Sequence, residues 1–184
     1  MTVQVRSHGS FRAEDLLAPG MPEKFVEIID GELVTMTPAG KFHNRIAHRF
    51  EDLFDLFCRD QSDLDFGGYN DGFLLQREPD VLVSPDASLY RRRPEGEGPW
   101  LEFAPEIAVE VLSPSNTPAE IAHKTALYLQ AGSEQVWIVD PEARSIEFIH
   151  RDGRRVRVEG DEVVRAEGIA EGLEIDLRTI FARV

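Results

Sequence analysis

The 184-residue sequence lacks any apolar run close to eighteen residues, and no charged-then-apolar segment stands at its amino terminus. The first absence argues against a membrane-spanning helix, and the second argues against a secretion signal. We therefore expect no membrane partner and a cytoplasmic location. Cysteine is equally scarce, because Cys58 is the one cysteine and cannot form an intrachain disulfide. It is expected to be a buried structural thiol.

Positive charge is also in short supply. Twenty Lys and Arg residues face thirty-four Asp and Glu residues, which gives a formal net charge of −14. This balance opposes long-range attraction to polyanions and is the main argument against a nucleic-acid substrate. The basic residues are clustered, with arginines at 91–93 and four more within residues 151–157. Either cluster fits a phosphate-contacting rim or a set of solvated loop arginines.

Length and composition favour a single domain over residues 1–184. With 42% hydrophobic residues, the chain is long enough to bury a core. The sequence carries no zinc-type Cys/His spacing, no phosphate-binding glycine motif and no Ser/His/Asp order. Those chemistries are therefore set aside.

The middle of the chain has the pattern of a strand, a helix and a second strand. Residues 107–112 and residues 136–139 are β-branched and mostly apolar, as in strands covered on both faces. Between them, Thr117 and Glu120 form a capping box, and Gly132 stands where a helix stop is expected. The connection is long enough for a crossover, so the pattern predicts a right-handed βαβ unit with parallel strands.

Two charged residues occupy this unit where a core should be apolar. Glu110 lies in the middle of the first strand, and a carboxylate buried there is costly without compensation. Lys124 borders the inward stripe of the helix. Because side chains alternate along a strand, Glu110 shares a face with Ala108 and Leu112, and Lys124 can turn toward that face.

Two hairpins are predicted before this unit. Residues 25–29 and 32–36 flank Asp30-Gly31, which is a strong turn signal. Residues 73–76 and 81–83 form the second pair of short strands.

A helix is predicted over residues 42–59, with an apolar inner face and an acidic outer face. His43 lies in its first turn. This residue fits either a surface histidine or one that contacts phosphate or takes part in a metal shell.

The remaining segments are predicted to be loops and short strands. Residues 67–72 have the composition of a turn. After the βαβ unit, residues 145–150, 156–159 and 162–165 predict a meander that extends the sheet edge. Residues 173–181 are expected to close the chain as a short strand or a helical turn.

Asp86 follows a proline at the end of the second hairpin. An aspartate in this setting is more often a turn residue than a ligand. Its place next to a β-rich run nevertheless makes it the second acidic residue at a strand edge, after Glu110.

The order of these motifs carries a resemblance. The sequence contains, in succession, VEIIDGELV, FHNRI, SPDASLY, PEIAVEVLSPSN, HKTALYLQAG and VWIVD. This succession resembles the Uma-type restriction endonuclease family within the PD-(D/E)XK nuclease superfamily. The resemblance implies a restriction-endonuclease-like α/β/α sandwich around a mixed central β-sheet. It divides the chain into an N-terminal arm (1–24), a nuclease-like core (25–142) and a β-rich C-terminal extension (143–184).

The resemblance also implies site residues. Asp86 fills the Pro-Asp position, and Glu110 fills the second acidic position. The superfamily lysine normally stands two residues after the second acid, where this chain has Leu112. In the family that the chain resembles, the lysine comes from the following helix, and Lys124 matches it. Glu32 matches an additional acidic position in the IDGEL hairpin.

These residue types suit metal-assisted hydrolysis of DNA. Two neighbouring carboxylates repel each other unless a cation neutralises them, so Asp86 and Glu110 are expected to bind Mg²⁺ or Mn²⁺. The ion would activate water and offset charge on the phosphate, while Lys124 would orient that water or stabilise transition-state charge. His43, Ser113 and Ser115 are lesser candidates for phosphate contacts or for support of the metal ligands.

Three alternatives stay open. Glu110 and Lys124 can form a structural salt bridge, with Asp86 a turn residue. The protein can instead be a non-catalytic oligomeric interaction module on a nuclease-like scaffold, which the acidic charge and the N-terminal arm favour. RNA is a minor variant of the substrate. We expect a homo-oligomer, with a dimer as the simplest state for two cuts in a duplex.

Overall fold

A computed structural model describes residues 10–21, 26–36, 38–94, 96 and 98–182. Phe25, which begins the first predicted hairpin, lies outside these residues, as do residues 1–9 and 22–24 of the predicted arm. The described part of the arm contains one short 3₁₀ helix, Ala13–Leu17.

The N-terminal half supplies six strands and a long helix. They are β1 (Val26–Ile29), β2 (Glu32–Thr35), α1 (Lys41–Cys58), β3 (Leu64–Gly68), β4 (Phe73–Gln76), β5 (Val81–Val83) and β6 (Ala87–Arg91). Both predicted hairpins are confirmed over the described residues. The turn between β1 and β2 places Asp30 at φ 54° and Gly31 at φ 76°. Two successive positive φ angles are what the Asp-Gly signal predicts for a tight hairpin.

The C-terminal half begins with the βαβ unit and ends in short elements. They are β7 (Ile107–Val111), α2 (Pro118–Ala131), β8 (Gln135–Asp140), β9 (Ser145–His150), β10 (Arg155–Glu159), β11 (Val163–Arg165), a 3₁₀ turn (Gly168–Ala170), β12 (Glu174–Asp176) and α3 (Leu177–Ile180). The terminal segment thus contains both a short strand and a helical turn.

A six-stranded mixed sheet forms the centre of the fold. Its strand order is β10-β9-β8-β7-β6-β3. The β7–β8 pair is parallel and is joined by α2, whereas the other four pairs are antiparallel. The predicted βαβ unit is therefore confirmed, and so is the mixed α/β fold class.

The two faces of this sheet carry different layers. Val109 of β7 packs in the same cluster as Phe50 and Phe54 of α1. Ala108 faces the other way and packs with Tyr128 of α2. The second face is also covered by a four-stranded sheet with the order β2-β1-β5-β4. The sandwich thus has a helix on one side and a helix plus a small sheet on the other.

The start of α2 is fixed by local chemistry, as predicted. The Thr117 hydroxyl accepts a hydrogen bond from the Glu120 amide at 3.2 Å, and the Glu120 carboxylate accepts one from the Thr117 amide at 2.9 Å. Gly132 ends the helix at φ 121°. Because both helix ends are defined, the face that α2 presents to β7 is defined as well.

The predicted turn over residues 67–72 is wrong at its start, because Gly67 and Gly68 belong to β3. A Cβ on Gly67 would lie 2.8 Å from the Ser88 hydroxyl, and one on Gly68 would lie 2.4 Å from the Glu51 carboxylate. These glycines permit close approach within a strand rather than a chain reversal.

The predicted C-terminal meander is correct for β9 and β10 and wrong for the third strand. β11 pairs with β12 in a separate two-stranded sheet instead of extending the main one. The segment after it contributes Leu173, Ile175 and Phe181 to the core on the α1 side. The described end of the chain therefore packs on the α1 side instead of extending the sheet edge.

The outer face of α1 is not uniformly acidic. Glu51, Asp52 and Asp55 lie in its second half, whereas the first half carries Lys41 and Arg45. The predicted acidic outer face is therefore present only in the second half of α1.

Both arginine clusters are engaged by carboxylates. Arg93 lies 2.7 Å from Glu106, and Arg155 lies 3.4 Å from Glu147. Arg154 forms an ion pair with Glu167. This pairing favours structural and solvated roles over an open phosphate rim.

Cys58 is partly buried and packs against the core on the α1 side. Burial raises the pKa of its thiol to about 11. In the described part of the chain, no helix has the length and apolarity required to cross a bilayer.

Candidate active site

Glu110 lies near the carboxyl end of β7, on the face that packs against α2. Only 8% of the residue is exposed. The Tyr128 hydroxyl donates a hydrogen bond to its Oε1 at 2.8 Å, and Lys124 Nζ lies 2.8 Å from the same oxygen and 3.1 Å from Oε2. The compensation that the sequence required for a buried carboxylate is therefore present.

Lys124 reaches this carboxylate from α2, one turn before Tyr128. Its Nζ lies 2.8 Å from Glu110 Oε1 and 2.8 Å from Glu27 Oε1. Although burial disfavours the ammonium form, the two carboxylates raise the pKa of Lys124 above its ordinary value. The lysine is thus held as a cation between two anions.

Asp86 precedes β6 and lies beside β7. Its amide donates to the Val109 carbonyl at 2.9 Å, and its Oδ2 accepts from the Val111 amide at 2.8 Å. The β6–β7 pairing starts with Ala87 opposite Val109, so Asp86 stands one step further along, next to Glu110. This antiparallel register brings the two acidic side chains to the same end of the sheet.

Glu27 is a member of this cluster that the sequence reasoning missed. It lies in β1, is 3% exposed, and accepts a hydrogen bond at Oε1 from the Ser84 amide at 2.8 Å. The signal was available, because Glu27 interrupts an apolar strand just as Glu110 does. What the sequence did not contain was the position of the four-stranded sheet, which turns Glu27 toward α2.

The other predicted residues line the same cavity at different distances from the cluster. His43 Nε2 lies 3.3 Å from Asp86 Oδ2. Glu32 lines the cavity, and Glu27 instead occupies the place beside Lys124. The Ser113 and Ser115 hydroxyls lie 2.9 Å apart and also line the cavity.

The cluster has more negative than positive charge. Glu27 and Glu110 share the Lys124 ammonium, and the charge of Asp86, which lies beside His43, also acts on Glu110. Burial, together with the charges of Asp86 and Glu27, raises the pKa of Glu110 to about 7, although Lys124 opposes the shift. An anionic excess of this kind is stabilised by a further cation.

His43 titrates under the influence of the same cluster. Burial lowers its pKa, but the hydrogen bond and charge of Asp86 outweigh that effect and raise it above the ordinary value. The imidazole is consequently favoured as a cation when Asp86 is ionised.

The cluster opens to solvent through a cleft of about 810 Å³. The side chains of Asp86, Lys124 and Glu110 are 18%, 12% and 11% exposed, respectively. The loop after β7, the start of α1 and the β1–β2 hairpin form the cleft walls. The acidic and ammonium groups therefore meet in a notch that solvent reaches.

The donor set fits a hard divalent cation. Among the residues that the structure describes, no group of three His, Cys, Asp or Glu side chains is already arranged as a ligand set. Mg²⁺, however, commonly uses only one or two protein carboxylates and completes its shell with water and phosphate oxygens. Asp86 and Glu110 supply two such carboxylates within an anionic cluster.

Comparison with known proteins identifies the family of the chain. The family model of Uma2, described as "Putative restriction endonuclease", matches residues 13–178. The chain belongs to the Uma2 family. The resemblance carried by the motif order is thereby confirmed. No curated protein matches the sequence.

A solved structure shares the fold. It is described as a "putative nuclease belonging to DUF820" from Anabaena variabilis, and it superposes with a TM-score of 0.79 at 19% sequence identity. The match covers 91% of this chain and 95% of that one. The architecture of the Uma2 protein is thus that of a protein described as a nuclease.

Proposed function

We propose that this Uma2 protein is a nuclease that hydrolyses DNA phosphodiester bonds with the help of Mg²⁺ or Mn²⁺. The observation that supports it most is the charge imbalance in the cleft. Three carboxylates lie around one lysine ammonium and one imidazole, at a place that solvent reaches. A structural salt bridge alone needs one acid and one base, and it gains nothing from additional buried anions.

Asp86 and Glu110 would hold the cation through their carboxylate oxygens. When bound, the ion would supply Lewis-acid activation of water and neutralise charge on the phosphate. Asp86 is already oriented by the Val111 amide, and Glu110 is oriented by the Tyr128 hydroxyl. Such hydrogen bonds fix the ligands before any cation arrives.

Lys124 would stabilise the negative charge that develops on the phosphate in the transition state. This role requires its ammonium to stay in place while Glu110 serves as a ligand. Glu27 meets that requirement, because it lies as close to Lys124 Nζ as Glu110 does. We therefore assign Glu27 a positioning role toward Lys124.

His43 would steady Asp86 through its Nε2. Glu32 remains a candidate for an additional acidic group, and Ser113 and Ser115 remain candidates for phosphate contacts. All four line the cleft.

A cleavage assay tests the proposal. Supercoiled plasmid, single-stranded DNA and branched DNA are incubated with the protein and Mg²⁺ or Mn²⁺, and RNA serves as the comparison substrate. We expect cation-dependent cleavage of DNA that Asp86→Asn, Glu110→Gln or Lys124→Met each abolishes. Glu106→Gln is the matched control, because it removes a buried carboxylate from the opposite end of the same strand.

Two results would contradict the proposal. The first is a folded wild-type protein that leaves all three forms of DNA intact with either cation. The second is cleavage that survives the loss of Asp86 and Glu110. Circular dichroism on every variant separates loss of chemistry from loss of fold.

A further inference from the structure

The first half of α1 carries a line of positive charge. Lys41, Arg45 and Arg49 recur every four residues, which places them along one side of the helix. The line spans about 12 Å. We call these three residues the basic stripe.

The basic stripe is continuous with the candidate active site. Together with four other residues it lines a shallow groove on the surface of α1, the others being Ala39, Asn44, His48 and Asp52. Ala39, Asn44 and His48 also line the cleft that contains Lys124. A ligand that leaves the cleft along α1 therefore meets the basic stripe directly.

Arg49 and Lys41 of the stripe differ from the arginine clusters described above. Arg49 donates to the Ile180 carbonyl at 2.7 Å and to the Ala182 carbonyl at 2.8 Å, so these hydrogen bonds leave its charge unneutralised. Burial, helped by the charge of Arg45, lowers its pKa. Within the described part of the chain, no carboxylate lies within 4 Å of the exposed Lys41 ammonium.

Among the described residues that line the groove, the acidic one is Asp52, at the end farthest from the start of α1. His48 lies 3.0 Å from Glu51, and Asp52 closes the groove. The first turn of α1 contains no acidic residue. The groove is therefore basic along the first half of α1 and acidic at its Asp52 end.

We propose that the basic stripe binds the sugar-phosphate backbone of a DNA strand whose scissile phosphate lies in the cleft. The inference rests on the proposed function for the identity of the polyanion. Successive residues of the stripe stand about 6 Å apart along the helix axis, which suits contacts with successive phosphates. In a protein of net charge −14, such a local surface has to supply the attraction that the chain as a whole does not.

Binding measured apart from cleavage tests the surface. Asp86→Asn protein is titrated into a short fluorescein-labelled duplex, and anisotropy is followed at several salt concentrations. Adding Lys41→Gln and Arg45→Gln should weaken binding about tenfold or more and make the slope of log K against log salt shallower by roughly two. Lys41→Gln alone, at an exposed position in the first helical turn, should make it shallower by about one.

The matched control removes the same charge elsewhere. Arg155→Gln with Arg157→Gln changes the net charge by the same amount on β10, far from the cleft lining. We expect this pair to keep the salt slope of the parent. Equal weakening by both pairs, or no weakening by the α1 pair, overturns the inference.

The outcomes also separate the inference from the proposed function. One outcome is DNA binding that depends on the basic stripe in a protein whose wild type cleaves no DNA. This outcome supports the DNA-binding surface and contradicts the proposed nuclease activity. Cation-dependent cleavage, together with DNA binding that the Lys41→Gln and Arg45→Gln substitutions do not change, supports the nuclease and contradicts the DNA-binding surface. If the duplex does not bind at low salt, the inference is overturned whether or not cleavage is seen.

Discussion

Two buried glutamates on the same side of one strand behave in opposite ways. Glu106 precedes β7, and Glu110 stands four residues later near its other end. Glu106 Oε1 lies 2.7 Å from Arg93 Nη2, and its Oε2 accepts from the Arg91 amide at 3.0 Å. Glu110 has a lysine too, but it shares that lysine with Glu27 and lies near Asp86.

The difference lies in how charge is balanced. At Glu106 each carboxylate oxygen has a hydrogen-bond donor. The positive charge of the nearby arginines equals or exceeds the negative charge of the carboxylate, as a structural ion pair requires. At Glu110 the anions exceed the cations, and the group faces an open cleft. An arrangement that costs stability but faces solvent is typical of a functional site.

The largest expected effect is on cleavage. Glu110→Gln should reduce DNA cleavage roughly a thousandfold or more, because it removes one of the two carboxylates that we propose to hold the cation. Glu106→Gln should cleave like the wild type. The comparison fails if both variants cleave equally well, or if Glu106→Gln is the inactive one.

Glu27→Gln tests whether Glu27 keeps Lys124 in position. The amide oxygen can still accept from Ser84, so the fold is retained, but Lys124 is left with Glu110 as its remaining anion. The lysine then competes with the cation for Glu110. We expect the cation concentration for half-maximal cleavage to rise about tenfold.

Glu32→Gln is the comparison for that measurement. Glu32 lines the cleft from the other strand of the same hairpin. A smaller rise for Glu32→Gln than for Glu27→Gln supports the positioning role. An unchanged cation requirement in Glu27→Gln contradicts it.

Stability should change in the opposite sense at the two ends of β7. Glu106→Gln leaves Arg93 without its carboxylate and should lower the free energy of unfolding by about 2 kcal/mol, since Arg93 can still reach solvent. Glu110→Gln removes one excess anion and should raise it by about 1 kcal/mol near pH 8. Urea denaturation measures the free energy of unfolding of both variants. Equal destabilisation by the two substitutions would contradict the difference in charge balance between Glu106 and Glu110.

The least direct expected effect is a pH dependence of stability. The folded state retains the Glu110 proton up to about pH 7, whereas an unfolded glutamate releases it near its ordinary pKa of 4.5. Between these values the folded state binds more protons, so this group makes the protein less stable as the pH rises. The stability of the wild type relative to Glu110→Gln should therefore fall through this window and level off above it. A difference that does not vary with pH would show that Glu110 titrates normally.

Local signals predicted the elements that hold the site. The capping box at Thr117 and Glu120 and the apolar strands on either side of α2 each depend on neighbours in sequence. The geometry of the crossover permitted Glu110 and Lys124 to meet, and the family resemblance matched Lys124 to the site.

Features that depend on packing between distant segments were not predicted. Glu27 reaches Lys124 only because the four-stranded sheet packs on the α2 side of the main sheet. Gly67 and Gly68 belong to a strand because they pair with Ser88 and Ala87 of β6. The positive half of α1 was missed because the helix was described by its acidic residues alone, although Lys41, Arg45 and Arg49 equal them in number.

Calorimetric titration with Mn²⁺ tests the central claim most directly, namely that the anionic excess at the end of β7 is a cation site. The account predicts saturable binding by the wild type, loss of that binding in Asp86→Asn and Glu110→Gln, and retention in Glu106→Gln. Binding that is absent from the wild type, or that is the same in all four proteins, would contradict it.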